Sequence, residues 1–169
     1  NSGGVLMVIR ILNQLVALYE EQTARFHDLY KKTVQLASLK PENEPDLEKI
    51  NLCLAEREKL MQKIDTVHKK TLGLWRKLAE ELGCDSSPEG VLSACPCQQS
   101  AVLVKMHGEM TGIALKIKEL DEKTGSELHK KKEELQEKMK NLQRSRRARD
   151  LYRSRNRQQE GVFIDWKKY

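Results

Sequence analysis

The sequence predicts an all-α protein: a long antiparallel helical hairpin, built into a three-helix bundle of coiled-coil character, with an extended C-terminal helix and tail. Three observations lead there. Apolar residues recur at alternating spacings of three and four along most of the 169 residues, which sets them on one face of a helix. Two short stretches rich in turn formers interrupt that pattern and leave three segments. Charged residues make up 33% of the chain and aromatic residues only 5%, so the core is a narrow seam and not a thick two-layer interior.

The first segment carries its seam on Val5, Val8, Leu12, Leu15, Tyr19, Gln22, Phe26, Leu29, Thr33 and Leu36. Gln22 and Thr33 are polar interruptions of the kind that fix register at some cost in stability. The apolar start, GVLMVIRILNQLVALYEE, is broken by Arg10, Asn13 and Gln14. It falls short of the run of about 20 apolar residues that spans a bilayer. It is therefore read as a buried helix start, with no membrane insertion.

Pro41 and Pro45 end this segment, because proline lacks a donor and disfavours a helical residue before it. Asp46 is placed to cap the next helix. Its seam is Leu47, Ile50, Leu54, Met61, Ile64, Val67, Thr71, Leu74, Leu78 and Leu82, with Arg57 at a position that wants an apolar residue. Gly83 is the stop. Residues 84–97 form the second break, with one short helical turn expected near Pro88.

The third segment starts near Gln98 and keeps its spacing through Leu103, Met106, Met110, Ile113, Ile117, Leu120 and Thr124. Thr124-Gly125-Ser126 is the expected place for a bend. Beyond it the apolar pattern thins to Leu128, Leu135 and Leu142, with Met139 added. Residues 1–97 thus make the hairpin and its connecting loop, 98–155 the third helix, and 156–169 a tail, all within one helical domain. A third helix ending at Arg155 reaches roughly 85 Å at 1.5 Å per residue, against roughly 50 to 55 Å for its partners. Its distal part must overhang or bend back.

The charge is as uneven as the seam. From Arg144 to Tyr169, seven Arg and two Lys face Asp150, Glu160 and Asp165, which is the whole net charge of +6. The first 143 residues balance to zero. An Arg-dominated end on a neutral body reads as an interaction arm, docking on an acidic protein surface or on nucleic acid, or else as a frayed, soluble basic tail. Tyr152 alone is a poor stacking platform, which makes nucleic acid the weaker partner. Val162, Phe163, Ile164 and Trp166 then bring bulky groups to the tail, either to pack on the protein's own helices or to dock on a partner.

Little in the sequence points to chemistry. His27, His68, His107 and His129 form no helical metal pair, and neither a phosphate loop nor a nucleophile signature is present. The sequence predicts no enzyme, no metal and no cofactor. The four Cys suit a reducing cytosol, and Cys95-Pro96-Cys97 is too tight for common zinc spacings.

Three stretches carry a resemblance. They are LNQLVALYEEQTARFHDLYKK, LAEREKLMQKIDTVHKKTLGLWRKLAEELG, and the end with DLYRSR and GVFIDWKKY. Together they make the chain similar, over nearly its whole length, to the FlgN-type flagellar export chaperones, a bacterial family. The resemblance implies a cytoplasmic, all-helical chaperone that binds hook–filament junction subunits before type III export. It implies cargo binding on the C-terminal part of the third helix, here Leu128, Leu135, Met139 and Leu142. It also implies docking on the cytosolic domain of the export gate through a tyrosine. Tyr152 is the candidate, with Arg149, Arg153, Phe163, Ile164 and Trp166 around it. The chain departs from the family in its extra Arg residues, its Cys-Pro-Cys loop and Trp166. Two other readings stay open: a coiled-coil structural or adaptor protein that forms homo-oligomers through its seams, and a nucleic-acid binder led by the Arg run.

Overall fold

The computed structural model describes residues 2–165, with side chains through Asn156. It contains four helices: α1 (Ser2–Ser38), α2 (Glu44–Leu82), α3 (Pro88–Ala94) and α4 (Gln98–Asp165). No strand occurs among the described residues, so the fold class is all-α. The chain divides into two units, Asn1–Glu122 and Lys123–Tyr169.

In the first unit α1 and α2 form the antiparallel hairpin. Cross-helix partners fall in reverse order along the two chains. Trp75 Nε1 donates to the Tyr19 hydroxyl at 2.9 Å, Gln22 Nε2 donates to the Ile64 carbonyl at 3.0 Å, and Cys53 Sγ donates to the Lys32 carbonyl at 3.2 Å. Gln22 therefore does what a polar seam residue is expected to do: it ties one register of α1 to one register of α2. Thr33 instead satisfies itself on the Leu29 carbonyl of its own helix, at 2.8 Å.

The proximal part of α4 closes the seam through two clusters. Ile11, Leu12, Leu15, Tyr19, Trp75, Leu78, Val91 and Leu103 make the first, and Leu29, Ile64, Ile113 and Ile117 the second. Every α4 seam residue expected up to Thr124 is buried or half-buried. Arg57 fits the seam by chemistry: its stem is covered and its guanidinium reaches Asp121 of α4 at 2.7 Å, the usual way a long basic side chain lies in an apolar seam.

Capping follows local rules with one exchange. Gly83 ends α2 at φ 63°, a left-handed position that glycine takes without a Cβ penalty. Ser87 caps α3 by accepting from Gly90 N–H at 3.0 Å. A Cβ on Gly90 would sit 3.0 Å from that same hydroxyl and from the Asp85 carbonyl oxygen, so a larger residue there would push against the cap. Asp46, expected to cap α2, does not: α2 starts at Glu44 after Asn43, with Pro45 in its first turn. The Asp46 carboxylate accepts from Lys40 N–H at 3.0 Å and braces the turn instead.

Three further expectations are corrected. Leu47, Leu54 and Met61 lie on the exposed side of α2, while Cys53 and Trp75 are buried and Leu60 packs on the second cluster. The start of α1 is also not buried: Val5 is 61% and Leu6 68% exposed, and Met7 and Ile9 are exposed as well. The run VLMVI places side chains all round the helix, and a one-sided partner covers only Val8. An 18-residue window of α1 has a mean hydropathy of 1.5, long and apolar enough to cross a membrane by composition, with 28% of it buried. Finally, α4 is helical to Asp165, past the expected end near Arg155. A single Gly161 costs a helix only about 1 kcal/mol.

Candidate interaction surface

The residues of interest lie on the second unit, and one helix positions them. Between Lys123 and Arg155 the sequence is dense in Lys, Glu, Gln and Arg, which are good helix formers. His129 and Glu133 pair at 3.2 Å one turn apart, as i,i+4 neighbours do. The helix assignment continues unbroken through Thr124-Gly125-Ser126. Nothing lies within 4 Å of a Cβ built on Gly125, so this glycine answers to no close neighbour.

Leu128, Leu135, Met139 and Leu142 are 48%, 60%, 60% and 62% exposed. At about 100° per residue they fall within an arc of roughly 60°. Among the described side chains of that unit, this strip of large apolar groups stays exposed. Apolar side chains scattered singly on a surface mean little, whereas a contiguous strip marks a contact. Glu133, Gln136, Glu137, Lys140, Asn141 and Arg144 line a shallow polar groove on the far side of the helix, so the apolar strip and the polar groove face opposite ways.

The strip changes character toward the C-terminus. Arg146, Arg149 and Arg153 continue the same helical line where Leu and Met stood before. Tyr152 is 70% exposed and sits about 120° around the helix from Leu128, next to Arg149 one turn earlier. The geometry thus groups the four-residue apolar strip on one face, with Arg149 and Arg153 at its end, and sets Tyr152 apart on a neighbouring face. Phe163 and Ile164 lie on helical backbone, with side chains outside the described residues. Trp166 falls outside them altogether.

Sequence reasoning missed two exposed apolar features. Leu151, at 68% exposure, lies about 100° around the helix from Tyr152 and roughly opposite the apolar strip, and a single leucine in an Arg run gives no periodic signal. The exposed line Leu47, Leu54 and Met61 on α2 has the same seven-residue repeat as Leu128, Leu135 and Leu142. That repeat was visible, but it reads equally well as a buried seam. No group of three or more His, Cys, Asp or Glu able to hold a metal occurs among the described residues. Comparison with models of known families, with curated proteins and with solved structures finds no match to this chain.

Proposed function

We propose that this protein is a cytoplasmic export chaperone of the FlgN type, a binding protein without catalytic activity. It holds hook–filament junction subunits soluble and delivers them to the cytosolic domain of the flagellar export gate. The observation that carries the reading is the exposed strip Leu128, Leu135, Met139 and Leu142. It is half of a helical seam, and an amphipathic helical end of a junction subunit completes it in the helix-in-groove manner. At about 25 cal/mol per Å², burying four half-exposed side chains of this size contributes roughly 4–6 kcal/mol gross. Ordering and association costs are subtracted from that. The balance suits a carrier that must let go, and Met139 suits one that meets more than one helix.

The test is calorimetry of the full chain against purified junction subunits. Leu135→Asp combined with Met139→Asp is expected to weaken binding by more than tenfold and to leave the thermal unfolding of the first unit unchanged. Binding that survives both changes places the cargo elsewhere.

A second reading has its own observation. The exposed repeat Leu47, Leu54, Met61 on α2 suits a coiled-coil adaptor that dimerises through its seams. Sedimentation equilibrium separates the two: a stable dimer abolished by Leu54→Asp and Met61→Asp favours the adaptor. Nucleic-acid binding through the Arg run would weaken steeply as salt rises, and apolar seam pairing would not.

A further inference from the structure

The Cys-Pro-Cys stretch between α3 and α4 has no part in that function, yet its surroundings are built. Cys97 immediately precedes α4 and occupies its N-cap position. It stands beside the first-turn N–H groups of α4, donors that no helix satisfies internally. The Ser100 hydroxyl lies 3.1 Å from the Cys97 sulfur, accepts from Cys97 N–H at 3.1 Å and reaches the Cys95 carbonyl at 2.6 Å. Ser100 is fully buried, so this clamp is fixed in place. Cys95 and Cys97 are separated only by Pro96 and line the same cleft.

Access is provided too. Both cysteines are only half-buried. They border a cleft of about 530 Å³ whose other walls include Val5, Ile9, Leu82 and Gln99, room enough for a small thiol or disulfide. The two remaining cysteines differ. Cys53 is buried and bonded to the Lys32 carbonyl. Cys84 packs on the same core cluster as Cys95 and Cys97 but has no cap position.

We propose that Cys97 and Cys95 form a thiol–disulfide exchange site that reacts with low-molecular-weight disulfides, Cys97 as the attacking thiol and Cys95 as the resolving one. The Cys97 thiolate attacks one sulfur of the small disulfide. A Cys97 mixed disulfide forms, and one small thiolate leaves and takes up a proton. The Cys95 thiolate then attacks the Cys97 sulfur, closing the Cys95–Cys97 disulfide and releasing the second small thiol. Two protein thiols are oxidised and one small disulfide is reduced to two thiols. The division of labour follows the environments. Burial raises both thiols, but for Cys97 hydrogen bonding with Ser100, Cys95 and Gln99 outweighs it and leaves the group below the ordinary thiol range. Burial and then the neighbouring Cys97 hold Cys95 above that range. A thiol with more thiolate attacks first and also leaves more readily.

This inference does not rest on the chaperone reading and is tested without cargo. The full chain, reduced and then exposed to oxidised glutathione, is followed by intact mass and peptide mapping. The wild type is expected to lose two hydrogens and retain no glutathione. Cys95→Ser is expected to accumulate one glutathione on Cys97, and Cys97→Ser to slow the reaction on the order of tenfold. Circular dichroism checks that both variants keep their helices. A measurement on the unmodified chain guards against misfolded variants: limiting iodoacetamide is expected to label Cys97 ahead of Cys84 and Cys53, and guanidinium is expected to erase that preference. First reaction at Cys84, resolution by Cys84, or equal labelling of all four cysteines in the folded chain overturns the proposal.

Discussion

Tyr19 shows how much one side chain holds in a thin core. Its ring meets Trp75 edge-on at 6.1 Å between centroids, and its hydroxyl accepts the indole N–H at 2.9 Å. Both residues are buried, so removing the hydroxyl leaves the Trp75 donor without a partner. Tyr19→Phe is expected to cost about 1–3 kcal/mol, the usual range for an orphaned buried donor, measured by urea unfolding at neutral pH. The same residue sets an alkaline limit. Burial raises the Tyr19 hydroxyl above its ordinary value of 10.0, and the Trp75 bond only partly offsets this. The folded state therefore keeps a proton that the unfolded chain gives up. The Tyr19 contribution is complete below pH 10 and is lost as pH climbs from there through the higher folded value. The stability of the wild type should fall more steeply over that window than that of Tyr19→Phe. Equal slopes would mean that Tyr19 is not the group that senses alkali.

At the scale of the element, most of the fold was legible and one register was not. Helix ends were readable because proline and glycine act locally: Pro41, Pro45, Gly83 and Pro88 all mark boundaries in the structure. The α4 seam was readable because Leu103, Met106, Met110, Ile113 and Ile117 are all apolar and consistently spaced. On α2 the pattern offered two lines one residue apart. Leu47, Leu54 and Met61 look better than Cys53, Arg57 and Leu60 when residues are sorted by hydrophobicity alone. Arg57 belongs to the seam because Asp121 waits across from it, and that pairing over 64 positions leaves no trace in a single sequence. The candidate strip on distal α4 was legible as spacing, and its exposure followed from a third helix longer than the two that could cover it. The correction on α2 has a measurable consequence. Met61→Lys should stay within about 0.5 kcal/mol of wild type, as surface changes do. Ile64→Ala, three residues on and buried, should cost about 2–4 kcal/mol. A Met61→Lys loss of the same size as that of Ile64→Ala would restore the original register.

For the whole molecule the decisive feature is where burial stops. Among the described side chains every fully buried one lies at or before Ile117, within the unit that ends at Glu122. The net charge of +6 belongs entirely to the residues after Asn141 and Gln143. Burial is therefore confined to one stretch of chain, and on the proposed function recognition belongs to another, so that a change in one need not disturb the other. A chain ending at Glu127 should unfold with nearly the full-length midpoint and should bind no junction subunit. Recognition itself divides again on the same reasoning. Leu128, Leu135, Met139 and Leu142 share one face of α4, and Tyr152 stands about 120° away from it. On the proposed function, Arg149 and Arg153 supply long-range attraction to an acidic surface, which raises encounter rates and fades with salt but gives little specificity. An exposed tyrosine is the kind of anchor that adds it. Tyr152→Ala in the full chain should thus lower affinity for the export-gate domain severalfold or more while leaving junction-subunit affinity and helicity as they were. Equal loss for both partners would merge the two faces into one site. No loss for either would leave the gate to be recognised by the Arg residues or by the segment beyond them, and the role that the resemblance gives Tyr152 would fail at that residue.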